Sequence, residues 1–217
     1  MKIKWNGHAC FTITTGEGTV IVTDPYEPGG YDGAIKYGNV KDRVDIALVS
    51  HDHADHNYVE MLEGSPEVLK GTGEAKGIRF NGIPCFHDET KGSERGPNTI
   101  FVFEVDGVKV AFAGDIGHQL SGDELKALAD VDVLMVPVGG TFTVDARGAA
   151  ALVQAIKPRM VIPMHFKTEK CAFPLASVDE FLKHMTNSKK LNKTEIKITP
   201  ESLPVKGPEV WVMDYAC

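Results

Sequence analysis

Cysteine is scarce in this sequence: four residues in 217, Cys10, Cys85, Cys171 and Cys217, with no C-x-x-C pair among them. That spacing gives no disulfide framework and no cysteine-built metal knot. The four read as reduced thiols, which points to the cytoplasm. Basic charge is also in the minority, with 23 Lys and Arg against 30 Asp and Glu and a formal net charge of −7. A broad nucleic-acid-binding face, which rests on clustered Lys and Arg, is therefore not expected. The one basic run, "SKKLNK", is short and reads as the solvated end of a helix. No apolar run approaches the roughly 18 residues of a membrane span. The start, "MKIKWNGHACF", lacks the apolar stretch and cleavage site of a signal peptide. Low-complexity segments and linkers are absent too, so residues 1–217 are expected to form a single domain whose partner is a small molecule rather than a nucleic acid or a membrane.

What is present is a series of short apolar runs. "KIKW", "CFTITT" and "TVIVTD" are rich in β-branched residues and broken by glycine, which predicts strands. "DIALVS" is continuously apolar and of strand length, as in a buried strand. "NYVEMLEG" reads as a short helix ending at Gly64. Strands return in "GIRF", "IPCFH", "TIFVFEVDG" and "KVAFAGD", the last two joined by an Asp106–Gly107 hairpin turn. "SGDELKALAD" reads as a helix with Ser121 as N-cap and Glu124 completing a capping box. "DVLMVPV" and "RMVIPMH" are buried strands, and between them "TVDARGAAALVQAIKP" is a helix stopped by Pro158. "SVDEFLKHMTN" adds a helix, and "EIKIT" and "EVWVMD" close as strands. The order predicts two packed sheets with helices outside them.

Metal-capable side chains fall at the ends of five of these strands. Asp24 follows one; His51, His53, Asp55 and His56 follow "DIALVS"; His87, Asp115 and His165 follow three more. Sites assemble at strand ends, and a random scatter of His and Asp has no reason to choose those positions. Residues two apart in an extended segment face the same way, so His51 and His53 can converge on one ion. Asp55 and His56 come where the chain turns and can reach a neighbouring ion. Imidazole and carboxylate without cysteine suit zinc, and also iron or manganese.

His51-x-His53-x-Asp55-His56, followed by His87, Asp115 and His165, resembles the metallo-β-lactamase superfamily over nearly the whole chain. "GHACF", "DP", "SHDHADH", "GD" and "PMHF" are most similar to the short metal-dependent hydrolases related to ascorbate-6-phosphate lactonase. The chain is shorter than that lactonase type, so no substrate is carried over. The resemblance implies an α+β fold: a four-layer αββα sandwich of two mixed sheets, with helices on the outer faces and a two-metal site at one edge. It assigns one divalent ion to His51, His53 and His87 and a second to Asp55, His56 and His165, with Asp115 bridging. Zinc is expected before manganese or iron. The implied activity is a hydrolase in which a metal-bound hydroxide, oriented by Asp55, attacks an ester, lactone or phosphodiester bond. Two divalent ions, two ligand aspartates and a hydroxide sum to about +1 within an acidic protein, which favours an anionic substrate. The alternatives are a redox di-iron protein of the same fold and a non-catalytic metal-binding scaffold. Di-iron relatives usually carry a carboxylate where His53 stands. Superfamily nucleases add an RNA-binding domain or a basic groove, and glyoxalase-type thioesterases usually add a C-terminal helical region; neither is visible in the sequence.

Residues around the motif carry two readings each. Asp24 is either a turn residue or a partner that orients a ligand histidine. His8 is an ordinary hairpin residue or, since the resemblance places its loop beside the metals, part of the substrate site. His118 either orients a ligand or serves as general acid for a leaving group. In the glycine- and charge-rich loop of residues 87 to 98, Lys91, Arg95 and Asn98 are solvated or bind substrate, and Lys167 is a similar candidate. Thr141 either lines the pocket or only follows a tight Gly139–Gly140 turn. Cys85 reads as a small buried hydrophobe, and His184 as a solvated residue on a surface helix.

Overall fold

The computed structural model describes residues 1–217. The strands are β1 (Lys2–Gly7), β2 (Cys10–Thr14), β3 (Val20–Thr23), β4 (Ile46–Leu48), β5 (Glu67–Leu69), β6 (Gly73–Ala75) and β7 (Ile78–Phe86). They continue with β8 (Pro97–Val105), β9 (Val108–Phe112), β10 (Val133–Pro137), β11 (Met160–Met164), β12 (Ser188–Lys190), β13 (Glu195–Lys197) and β14 (Glu209–Val212). The helical segments are α1 (Gly30–Gly33), α2 (Gly122–Ala127), α3 (Ala146–Ile156) and α4 (Val178–Leu182). No helix is long and apolar enough to cross a membrane.

One sheet runs β13-β1-β2-β3-β4-β5 and the other β12-β14-β11-β10-β9-β8-β7-β6. Both are mixed: β1–β2–β3 and β6–β7–β8–β9 pair antiparallel, whereas β3–β4–β5 and β9–β10–β11 pair parallel. Alternation along the first sheet explains how they stack. Phe11, Ile13, Ile21, Ile46 and Leu48 face the large core shared with Phe101, Phe103, Val133 and Met135 of the second sheet. Their neighbours Cys10, Val22 and Ala47 face the other way, into a smaller apolar cluster. Period-two alternation sends successive side chains to opposite faces, so a strand with apolar residues on both must be covered twice.

The outer cover of the first sheet is mostly irregular chain rather than helix. Tyr26, Ile35, Tyr37, Val40, Val44 and Leu62 supply it. α1 within that cover is a single turn in which Tyr31 (φ 52°) and Asp32 (φ 54°) are left-handed. The helix expected over "NYVEMLEG" is one 3-10 turn, Val59–Met61, after which Leu62 is extended. Leu62 turns into the smaller cluster, and the Glu63 carbonyl accepts the Val44 N–H at 2.7 Å, which pulls the chain out of a helical path. "SKKLNK" is likewise not a helix end: Ser188–Lys190 is β12, an edge strand beside β14. Lys189 lies 3.8 Å over the Trp211 ring, and lysines on an edge guard it against further pairing. "GIRF" and "IPCFH" merge into the one long strand β7, while β5 and β6 carry no pattern that marked them in advance.

The other helices follow their sequence signals. Ser121 and Glu124 make the capping box of α2. Asp145 caps α3 by accepting the Gly148 N–H at 2.7 Å, and Lys157, left-handed at φ 58°, ends it ahead of Pro158. The Asp106–Gly107 turn has positive φ at both residues, 52° and 71°, as a two-residue hairpin turn requires.

Close packing of the strand ends depends on one glycine in particular. A Cβ on Gly139, just beyond β10, would lie 2.2 Å from the His165 carbonyl oxygen. Gly139→Ala is therefore expected to lose about 1–3 kcal/mol by overpacking, read as a lowered thermal unfolding midpoint; an unchanged midpoint would show that the β10 and β11 ends separate freely.

Candidate metal centre

The carboxyl ends of β3, β4, β7, β9 and β11 meet at one edge of the sandwich, and each delivers the side chain that follows it. His51, His53 and His87 form one group whose donor atoms lie within 4.8 Å of one another. Asp55, His56 and His165 form a second, and His8 joins it. Asp115 stands between the two. Its Oδ2 is 3.3 Å from His87 Nε2, 3.2 Å from His56 Nε2 and 3.2 Å from His165 Nε2. The structure thus brings together all seven side chains that the sequence pattern singled out as ligands.

The imidazoles are aimed from behind. Asp24 Oδ2 accepts from His56 Nδ1 at 2.8 Å and from Ser50 Oγ at 2.6 Å, and Asp24 Oδ1 accepts the Ser50 N–H at 2.7 Å. Ser50 Oγ in turn lies 2.9 Å from His51 Nδ1. With both Nδ1 protons donated along this relay, the Nε2 atoms of His51 and His56 present lone pairs to the centre, as a metal requires. His8 is carried on the β1–β2 turn at φ 53°. Its carbonyl accepts the His165 N–H at 3.1 Å, which fastens the first sheet to the end of β11. Its Nε2 lies 3.1 Å from Asp55 Oδ2.

Six buried side-chain nitrogen or oxygen atoms in the whole chain lack a hydrogen-bond partner, and all six belong here: His8 Nδ1, His51 Nε2, His56 Nε2, His87 Nδ1, Asp115 Oδ1 and His165 Nδ1. Buried polar atoms are nearly always paired, so such a concentration calls for an explanation, and a cation supplies one for His51 Nε2, His56 Nε2 and Asp115 Oδ1, which face the centre. Protonation fits as well. Burial, aided by His56, pushes the His51 imidazole down to about 2, and burial with His165 nearby pushes His8 down to about 4. Both are neutral at pH 7, the form in which imidazole binds metal. Burial works against the charge on Asp115, but His165 and His56 hold it well below the usual carboxylate range. Burial also works against charging His56, yet Asp115 and Asp55 raise it well above the ordinary value. Divalent ions among the same carboxylates would take the place of that proton.

The remaining candidates separate. Arg95 lines the cavity over the centre together with His53, Asp55, His87, Asp115 and His165. Lys91 is exposed and is not among the lining residues. Asn98 does not face the cavity: it is buried, donates to the Ala113 carbonyl at 2.9 Å and to Cys85 Sγ at 3.1 Å, and its Oδ1 accepts the Asp115 N–H at 2.9 Å. It positions Asp115, the carboxylate between the two groups, and does not reach into the cavity. Lys167 reaches the Phe173 carbonyl at 2.8 Å and ties a loop. His118 does not suit the part of general acid, because its Nε2 accepts the Phe86 N–H at 3.1 Å and its Nδ1 meets the Gln119 carbonyl at 3.0 Å. Thr141 donates to the Pro174 carbonyl at 2.7 Å and lines an adjoining polar cavity. Cys85 is buried, and burial pushes its thiol up to about 12. Sequence reasoning passed over Ser50, although it sits inside the histidine motif, and Tyr31, Phe142 and Phe173, which line the cavity but carry no pattern of their own. Asp24→Asn is expected to weaken zinc affinity by about 10–100-fold in a chelator competition while the chain stays folded. An unchanged affinity would leave Asp24 as a turn residue only.

Comparison with known proteins identifies the family. The family model of the β-lactamase superfamily domain matches residues 2–165. A UPF0173 metal-dependent hydrolase from Thermoplasma acidophilum is 32% identical over 77% of this chain and 84% of its own. The crystal structure of a candidate Zn-dependent hydrolase of the metallo-β-lactamase superfamily, from Thermotoga maritima, matches with TM-score 0.79 at 33% identity and covers 99% of each chain. A di-iron β-hydroxylase from Streptomyces venezuelae shares the fold alone, with TM-score 0.59 at 16% identity, covering 84% of this chain and 50% of that one. By sequence, fold and the match of its family model, this chain belongs to the metallo-β-lactamase superfamily and is one of its metal-dependent hydrolases.

Proposed function

We propose that the protein is a single-domain, cytoplasmic, dinuclear zinc hydrolase that cleaves an ester, lactone or phosphodiester bond in a small anionic molecule. The observation that carries this reading is Asp115 Oδ2, equidistant within 0.1 Å from three imidazole nitrogens drawn from both donor groups. A lone ion held by one histidine triad needs no carboxylate shared with a second set of ligands. Imidazole and carboxylate donors without thiolate fit zinc. The all-histidine triad of His51, His53 and His87 favours hydrolysis over the di-iron alternative. Divalent ions bound there acidify water and polarise the oxygen of the bond under attack.

The protein's own residues supply the rest. His51, His53 and His87 would hold one ion, and Asp55, His56 and His165 the other, with Asp115 common to both. Asp24 and Ser50 keep His51 and His56 in the tautomer that faces the centre. Asp55 is steadied by the Tyr31 hydroxyl, which donates to Oδ1 at 3.2 Å, and by His8 at Oδ2. A carboxylate so fixed can orient a water for attack. Arg95, the one Lys or Arg lining the cavity, meets an anionic group of the substrate.

Elemental analysis of zinc-reconstituted protein tests the ligands: two ions per chain are expected in the wild type and fewer in both His53→Ala and Asp115→Ala. Two ions retained in both variants would contradict the assignment. In parallel, chelator-sensitive turnover of at least one of a simple ester, a lactone and a generic phosphodiester is expected, with activity restored by zinc. Failure on all three would favour a non-catalytic metal-binding scaffold.

A further inference from the structure

Three aromatic side chains border the cavity at the metal centre, and hydrolysis in itself does not require them. The cavity encloses about 390 Å³ and is bounded by ligand residues together with Tyr31, Phe142, Phe173 and Arg95. The rings come from three separate connections: α1, the β10–α3 connection and the segment after β11. Phe173 is the hub. It meets Tyr31 edge-on, with centroids 5.3 Å apart at 77°, and Phe142 likewise at 5.6 Å and 73°, the arrangement that ring quadrupoles favour.

Packing alone does not account for this wall. Tyr31 is 48% exposed, one of three large apolar side chains so open in the whole chain. It is held there by a left-handed backbone at φ 52°, and Thr141, directly before Phe142, is left-handed at φ 65°. The Tyr31 hydroxyl also reaches Asp55, so the wall is joined to a ligand carboxylate.

Charge on the remaining boundary is sparse. Arg95 is the one cationic side chain there. Its loop is fixed by Asp88, whose carboxylate accepts the N–H groups of Thr90, Gly92, Glu94 and Arg95 at 2.8 to 3.0 Å. A phosphoryl group held at the rim, away from the metal ligands, would be cradled by several cationic or backbone donors. One guanidinium beside three rings suits a singly charged carboxylate with an apolar body.

Resting on the hydrolytic reading above, we propose that the substrate is a small carboxylic ester or lactone that packs an aryl or branched apolar group against Phe173, Tyr31 and Phe142 and sets a carboxylate against Arg95. Water oxygen bonds to the acyl carbon, the bond from that carbon to the alkoxy oxygen breaks, and a proton of the water passes to that oxygen, so that an ester gives an acid and an alcohol and a lactone a single hydroxy acid. Phe173 is the residue that selects the apolar group.

Binding of product-like acids to zinc-reconstituted protein, followed by calorimetry, tests this without turnover. 3-Phenylpropionate is expected to bind at least tenfold more tightly than propionate, and benzylsuccinate more tightly still. Phe173→Leu and Phe173→Ala should bring the phenyl advantage to within about threefold at unchanged zinc content and unchanged circular dichroism. Arg95→Ala should remove only the gain from the second carboxylate. Equal affinity for the phenyl and alkyl acids, or a phenyl advantage kept by both Phe173 variants, would overturn the proposal. Turnover measured alongside separates the two readings. Aryl and alkyl esters hydrolysed at equal kcat/KM would keep the hydrolase and overturn the aromatic selection. A phenyl advantage in binding with no chelator-sensitive turnover of any ester would support the selection and count against the hydrolase.

Discussion

A buried carboxylate, Asp115, faces imidazole nitrogens of His56, His87 and His165 at 3.2 to 3.3 Å, and the organisation of this edge of the protein follows from that contact. Ionised groups removed from water are strongly disfavoured unless paired. Here the pairing is unfinished, since Asp115 Oδ1 and several of the surrounding nitrogens have no hydrogen-bond partner. Bound metal would resolve the conflict, taking up free lone pairs and balancing the carboxylates. Stability of this edge and function would therefore be linked, because the metal that completes the electrostatics would also supply the chemistry of hydrolysis.

The fold serves that contact by bringing strand ends from both sheets to one place. β3 and β4 of the first sheet deliver Asp24 and the His51–His56 run, while β7, β9 and β11 of the second deliver His87, Asp115 and His165. Neither sheet holds the full set. The shared apolar core fixes their relation, and two local devices set the final alignment. Asn98 grips the Asp115 backbone, and the His8 carbonyl takes the His165 N–H across the sheets. These residues act by placing others, in the way outer partners of metal ligands generally do.

Much of this was legible in the sequence, for a physical reason. A buried strand is continuously apolar, so a polar residue at its end stands out, and the positions of Asp24, His51, Asp115 and His165 betray themselves in that way, whereas His87 ends a half-exposed strand in which only the short run before it is apolar. The two-sheet architecture followed from the same runs. Segments without a strong period were not legible. β5, β6 and β12 are three residues each, too short to show a period; β5 and β12 are held by partners about twenty residues away in sequence, and Val59–Met61 was denied a longer helix by a backbone bond from Val44 to Glu63. At the site, the side chains that cluster were readable because metal coordination restricts residue type. The roles of Asn98, Lys167 and His118 were not, because a polar side chain in a loop looks the same whether it turns to a cavity or to a carbonyl. The aromatic wall was hidden for a related reason: Tyr31, Phe142 and Phe173 lie far apart in sequence and meet only through the fold.

We propose that Asp115 joins two ions into one centre. X-ray absorption spectroscopy of the zinc-reconstituted protein tests it most directly. The expected result is histidine-rich nitrogen and oxygen coordination with a zinc–zinc shell at about 3.5–4 Å, and loss of that shell in Asp115→Ala. A spectrum with no metal–metal scattering at full zinc loading, or an undiminished shell in the variant, would contradict it.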